Sequence, residues 1–149
     1  MPHEFKKLGI SFLYPDNWEL DETDAQQQHR SVTVYSPGAA FWTVNVHPRG
    51  TSPAKLVRAV VKAMREEYEG LEYEAVRETI AGRDLIGYDL SFFFLDLTNT
   101  AWVRALRTDQ ATYTIFCQAE DRELSQVRPV LLAMSTSLLN SLNRPAHLG

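Results

Sequence analysis

Cysteine is almost absent from this chain of 149 residues: Cys117 stands alone. A single thiol excludes an intramolecular disulfide and any metal site built from cysteine pairs. The four histidines, His3, His29, His47 and His147, are widely separated. None has the HExxH or His-x-His spacing that aims two imidazoles at one ion. Seven glycines are scattered, so there is neither a phosphate-cradling loop nor a dinucleotide fingerprint. No Gly-x-Ser-x-Gly elbow holds a serine nucleophile. Long apolar runs are missing too. None approaches the roughly 20 residues of a membrane-spanning helix, and Met1-Pro2-His3-Glu4 leads into no apolar stretch of the kind a secretory signal needs.

Positive charge is also scarce. The formal net charge is −4 and the pI is about 5.5. This argues against nucleic acid as a partner, because phosphate contacts need clustered cations. The densest basic segment, Lys55, Arg58, Lys62 and Arg65, runs directly into Glu66, Glu67 and Glu69 and reads as a solvated helix face. These absences lead to the expectation of a cytoplasmic protein that is not an enzyme, with no cofactor, no metal and no membrane or nucleic-acid partner.

What is present is patterning. Hydrophobic residues make up 44% of the chain, enough for one domain over residues 1–149 with a substantial core and a short flexible tail from about Asn143. Leu8 to Tyr14 is rich in β-formers and reads as a strand. Pro15-Asp16-Asn17 is turn chemistry, after which Trp18 to Leu20 resumes the sheet. Residues 21–30 are polar, without period, and read as a loop. Two alternating runs, Val32 to Tyr35 and Trp42 to His47, flank Ser36-Pro37-Gly38 and predict a hairpin.

The clearest helix follows. Ser52 is a good N-cap and Pro53 suits the first helical position. Leu56, Val57, Val60, Val61, Met64 and Tyr68 form one apolar stripe, and Gly70 supplies the stop. Four strand-like segments come next: 72–80, 84–97, 100–108 and 111–119. Their breaks at Ala81-Gly82-Arg83, Asn99 and Asp109-Gln110 predict an antiparallel meander. A second helix is predicted from Leu124, Val127, Leu131, Met134 and Leu138, capped by Asp121, with Pro129 kinking it or marking the start of its main part.

The run "LSFFFLDL", residues 90–97, puts apolar groups on both faces of one strand. An open antiparallel sheet normally wets one face, so both faces are expected to be covered. The predicted fold is therefore α+β: a central antiparallel sheet of about six or seven strands with helices on both faces. Here a family resemblance enters. "LGISFLYPDNW", the hairpin, the helix, the meander and "VRPVLLAMSTSL", in that order, resemble the PsbP-like superfamily over roughly residues 8–142. That superfamily includes the photosystem II subunit PsbP, Ran-binding nuclear import factors and DcrB-type bacterial proteins. The resemblance implies an α/β/α sandwich and a non-catalytic binding or assembly role, and it implies no site residue.

Candidate residues are few. Cys117 shares a strand face with Tyr113 and Ile115 and reads as core, because nothing local would lower a thiol pKa. Glu72, Glu74 and Glu78 read as a solvated strand face rather than a catalytic pair. Thr33, Tyr35, Thr43, Asn45 and His47 share one strand face by alternation and would line a polar groove if no helix covers them. With Trp42 and Arg49 added, the candidate binding surface is Tyr35, Trp42, Asn45, His47 and Arg49. The expected function is a non-catalytic protein-interaction or assembly domain, with another protein or a second copy as partner. The alternative is small-ligand binding in a groove between sheet and helix.

Overall fold

The computed structural model describes residues 1–26 and 30–143. His29, His147 and the expected tail beyond Asn143 lie outside the described residues. Seven antiparallel strands form the main sheet, in the spatial order β3-β4-β5-β9-β8-β7-β6. They are β3 (Glu19–Asp21), β4 (Ser31–Tyr35), β5 (Phe41–His47), β6 (Glu72–Ile80), β7 (Arg83–Phe94), β8 (Leu97–Arg107) and β9 (Thr112–Glu120). The order of the last four is the predicted meander, and β4–β5 is the predicted hairpin, in register from Ser31↔Asn45 to Tyr35↔Phe41. Helix α1 (Pro53–Glu67) and helix α2 (Asp121–Leu142) cover opposite faces. Strand alternation decides which residues each receives. Val103, Ala105, Leu90 and Phe92 meet α1, whereas Trp42, Val44, Ile115, Cys117 and Leu106 meet α2.

A separate two-stranded sheet, β1 (His3–Lys7) with β2 (Ile10–Tyr14), lies beside α2. β1 was not expected, and the predicted first strand is shorter than Leu8–Tyr14, because Leu8 and Gly9 form the hairpin turn with φ of 61° and 75°. Phe5 and Phe12 pair across this hairpin, and Phe12 packs on Trp42 with ring centroids 4.6 Å apart. The free edge of β2 is satisfied by the helix: Ser11 and Leu13 donate their amides to the hydroxyls of Ser141 and Ser137. Trp18 donates its amide to the Pro15 carbonyl across the predicted corner, and its ring is buried in this same core.

Helix α1 starts as predicted, with Ser52 accepting the Lys55 amide and Pro53 at the first turn. Helix α2 differs. Its cap is Glu120 rather than Asp121, which instead accepts a bond from the Thr100 hydroxyl. Pro129 lies within an unbroken helix, on its exposed side. The segment predicted as a loop contains a short 3-10 turn over Thr23–Gln26. The turn placed at Asn99 actually falls at Leu95-Asp96. Asn99 is buried in β8, opposite Phe92 and Glu120. One glycine is sterically required: a Cβ on Gly87 would run into the backbone carbonyl oxygen of Val103. Among the described residues no helix is long and apolar enough to cross a membrane.

Candidate functional site

Helix α1 lies over β7, β8 and β9, so the same face of β3, β4 and β5 carries no helix from α1. Register brings Tyr35, Thr33, Thr43, Asn45 and His47 onto that face, as alternation predicted. Their neighbours on β9 are Thr114, Phe116 and Gln118, and on β3 Glu19 and Asp21. The surface is tied together internally. The Thr33 and Thr43 hydroxyls bond at 2.8 Å, and His47 Nε2 lies 3.0 Å from the Thr114 hydroxyl. Tyr35, Phe41 and Phe116 form an aromatic row across three strands, with centroids 5.9 and 5.8 Å apart. Burial lowers the His47 pKa, which favours the neutral ring, and Asp21 is held below the usual carboxylate value by the Thr23 amide and hydroxyl.

Trp42 must be removed from the candidate surface. It projects from β5 in the opposite direction, is fully buried, and donates its indole N–H to Ser135 at 2.9 Å. The physical reason is parity: Trp42 sits between Phe41 and Thr43, so it cannot share their face. Arg49 is exposed on the loop after β5. Cys117 is fully buried and burial raises its thiol pKa, which leaves no thiolate for chemistry. Ser52-Pro53-Ala54-Lys55 has the Ser-x-x-Lys spacing of some acyl-transfer enzymes, but the Ser52 hydroxyl is occupied as the α1 cap and Lys55 points to solvent. Among the described residues no three His, Cys, Asp or Glu side chains converge on a metal-sized site.

The most conspicuous surface was not a candidate in the sequence reading. β7 and β8 run past the end of β6, whose last partner on β7 is Ser91. At the overhanging tip Phe93, Phe94 and Leu95 are 69%, 48% and 78% exposed. The expectation that both faces of this strand are covered therefore fails at its end. Phe92 is buried against Tyr68, Phe94 touches the edge of the same ring, and Phe93 faces solvent on the other side. The signal was present in the triple phenylalanine. What sequence could not give was the point where β6 and the helices stop.

A groove of about 540 Å³ separates α1 from β6 and β7, lined by Ala54, Val57, Arg58, Ala75, Arg77 and Ile86 among others. A polar depression at β3 is lined by Glu19, Asp21, Glu22, Thr23 and Tyr35.

No family model matches this sequence, and no curated protein matches it. Solved structures do match. Cyanobacterial PsbP (CyanoP) from Synechocystis sp. PCC 6803 superposes with a TM-score of 0.64 at 10% identity, over 91% of this chain and 90% of that one. PA94, a protein of unknown function from Pseudomonas aeruginosa, gives a TM-score of 0.60 at 12% identity over 97% and 99% of the two chains. A Bacteroides thetaiotaomicron protein gives 0.62 at 15% identity, over 91% of this chain and 47% of that one. The chain shares the fold of cyanobacterial PsbP and of PA94. At these identities the likeness concerns fold alone.

Proposed function

We propose that this domain is a non-catalytic protein-interaction module that docks through the tip of the β7–β8 hairpin. The observation that carries the reading is the exposed trio Phe93, Phe94 and Leu95. Leu95 adds a second cost, since it occupies a two-residue turn with φ of 53°, followed by Asp96 at 63°. Such turns favour Asn-Gly, and a γ-branched apolar residue there is both strained and wet. Leu8 has a similar φ but packs against the core, whereas Leu95 gains no such compensation among the described residues. A partner that buries these side chains in an apolar pocket recovers about 1.5–3 kcal/mol for each one fully covered.

The test compares the wild-type chain with a Phe93→Ser/Leu95→Asn variant, carrying a photo-crosslinkable residue at position 97 in both. The wild type is expected to yield one defined crosslinked complex. The variant should lose it by at least tenfold while unfolding at the same or a higher temperature, because Asn suits the turn. An equally abundant complex with the variant, or none with the wild type, overturns the reading. A second reading, binding of a small ligand in the groove between α1 and β6, draws on the apolar side chains Val57 and Ile86 in its lining. That groove opens along a sheet edge, a shape that favours an extended chain over an enclosed molecule.

A further inference from the structure

Among the described residues β6 is the last strand of the main sheet and pairs only with β7. Its register is unbroken over nine residues, from Glu72↔Ser91 to Ile80↔Arg83. The Ala81-Gly82 turn closes on Ile80 and Arg83, which exchange backbone bonds in a two-residue hairpin. Counting back in twos, Glu72, Glu74, Val76, Glu78 and Ile80 bond β7. The amides and carbonyls of Tyr73, Ala75, Arg77 and Thr79 therefore point out of the sheet. The strand contains no proline, lysine or bulge, so its edge is guarded by charge alone, on Glu72, Glu74, Arg77 and Glu78. The opposite edge, β3, is only three residues long.

The two faces of β6 differ. On the α2 side stand Glu72 and Glu74, together with Glu78, which shares the Arg104 guanidinium with Asp89 of β7. On the α1 side, Ala75 and Arg77 border the groove whose apolar lining includes Val57 and Ile86. We infer that β6 accepts an extended segment of another protein as an eighth strand. That segment carries Lys or Arg at alternate positions, facing Glu72 and Glu74 above all, and apolar side chains between them, directed into the groove under α1. Opposite charges facing across a strand pair are favourable, and like charges directly opposite are not. This is also why a second copy of this chain is not the occupant. A two-fold axis at Ala75 sets Glu72 against Glu78, one at Val76 sets Glu74 against Glu78, one at Glu74 sets that residue against itself, and one at Arg77 opposes two arginines. This surface presupposes the protein-binding reading above but lies apart from the hairpin tip.

The probe is a fluorescein-labelled nine-residue peptide alternating lysine and valine, titrated into the full chain and read by anisotropy. Controls are a glutamate–valine alternate and a peptide of the lysine–valine composition with all lysines first. The alternating basic peptide is expected to bind at least tenfold tighter than either control. Ala75→Pro, which removes an amide that β7 does not use, and Glu72→Lys/Glu74→Lys should each weaken it at least tenfold. Phe93→Ser/Leu95→Asn should leave it unchanged. Equal binding of the lysines-first peptide, no binding, or full affinity in Ala75→Pro overturns the inference. Loss in the Phe93→Ser/Leu95→Asn variant alone also overturns it and moves the peptide to the tip. Should Ala75→Pro fail to fold by circular dichroism, hydrogen exchange of the wild-type Ala75 and Arg77 amides decides. Protection by the peptide supports the added strand, and unchanged exchange refutes it.

Discussion

Alanine at both Glu78 and Asp89 strands a cation inside the sheet. Arg104 projects from β8 with its side chain only 8% exposed, and it reaches Glu78 on β6 at 2.7 Å and Asp89 on β7 at 2.8 Å. It also donates to the Tyr88 and Val103 carbonyls. Breaking a fully buried pair costs about 3–5 kcal/mol, and an exposed pair is worth about 0–1. Glu78 and Asp89 are 38% and 51% exposed, so each single alanine substitution is expected to cost about 1–2 kcal/mol, between those limits. The double substitution leaves the guanidinium with two carbonyls and no countercharge, and should cost about 4–5 kcal/mol, more than the two singles together. Adding Arg104→Met removes the stranded charge and should return about 2 kcal/mol, because an apolar side chain of similar reach tolerates that site. Urea unfolding with a constant slope measures all four values. Strict additivity of the singles, with no recovery on Arg104→Met, would refute this account and show that the guanidinium stays hydrated.

Three further outcomes follow from the geometry. Ser135→Ala leaves the buried Trp42 indole N–H without its 2.9 Å partner and should destabilise by about 1–3 kcal/mol; a loss under about 0.5 kcal/mol in chemical unfolding would mean the indole finds another acceptor. Pro129→Ala restores an amide donor inside α2, where Pro129 lies on the exposed side, and should stabilise by about 1–3 kcal/mol; an unchanged or lower melting temperature would show that α2 loses nothing to the proline ring. Burial lowers the His47 pKa in the folded chain, so below about pH 6.5 the unfolded chain takes up the proton first. The His47 contribution is thus intact above that pH and is lost as pH falls through the folded value. His47→Gln should lose less stability than wild type between pH 6.5 and 5, and parallel profiles would contradict the assignment.

Local signals were legible wherever they were complete. Ser52, Pro53, the Val57/Val61 stripe and Gly70 specify α1 from within 19 residues, because capping and periodicity act over one or two turns. The polar row from Thr33 to His47 was legible because strand parity is a property of the chain itself. β1 was not. In HEFKK only Phe5 is buried, and its partner Phe12 acquires meaning only once Trp42 is packed beneath it. The Leu95-Asp96 turn was hidden because it lacks the Asn-Gly that such a turn favours. Trp42 was misplaced against the alternation itself, which puts it on the face opposite Asn45 and His47.

The chain's own pattern determined the number and order of most strands, both helices, the meander and the apolar character of 92–95. Tertiary structure alone decided which of these surfaces stay open. A helix about 10 Å across spans two or three strands at a spacing of about 4.8 Å, so a single helix cannot cover one face of seven strands. α1 settles over β7, β8 and β9, and α2 with the β1–β2 hairpin encloses Trp42 on the other side. The β3–β5 face opposite to Trp42, the outer edge of β6 and the phenylalanine tip are what that placement leaves to solvent. Where a helix docks is fixed by the sum of many weak contacts along its whole length, which no local stretch of sequence contains.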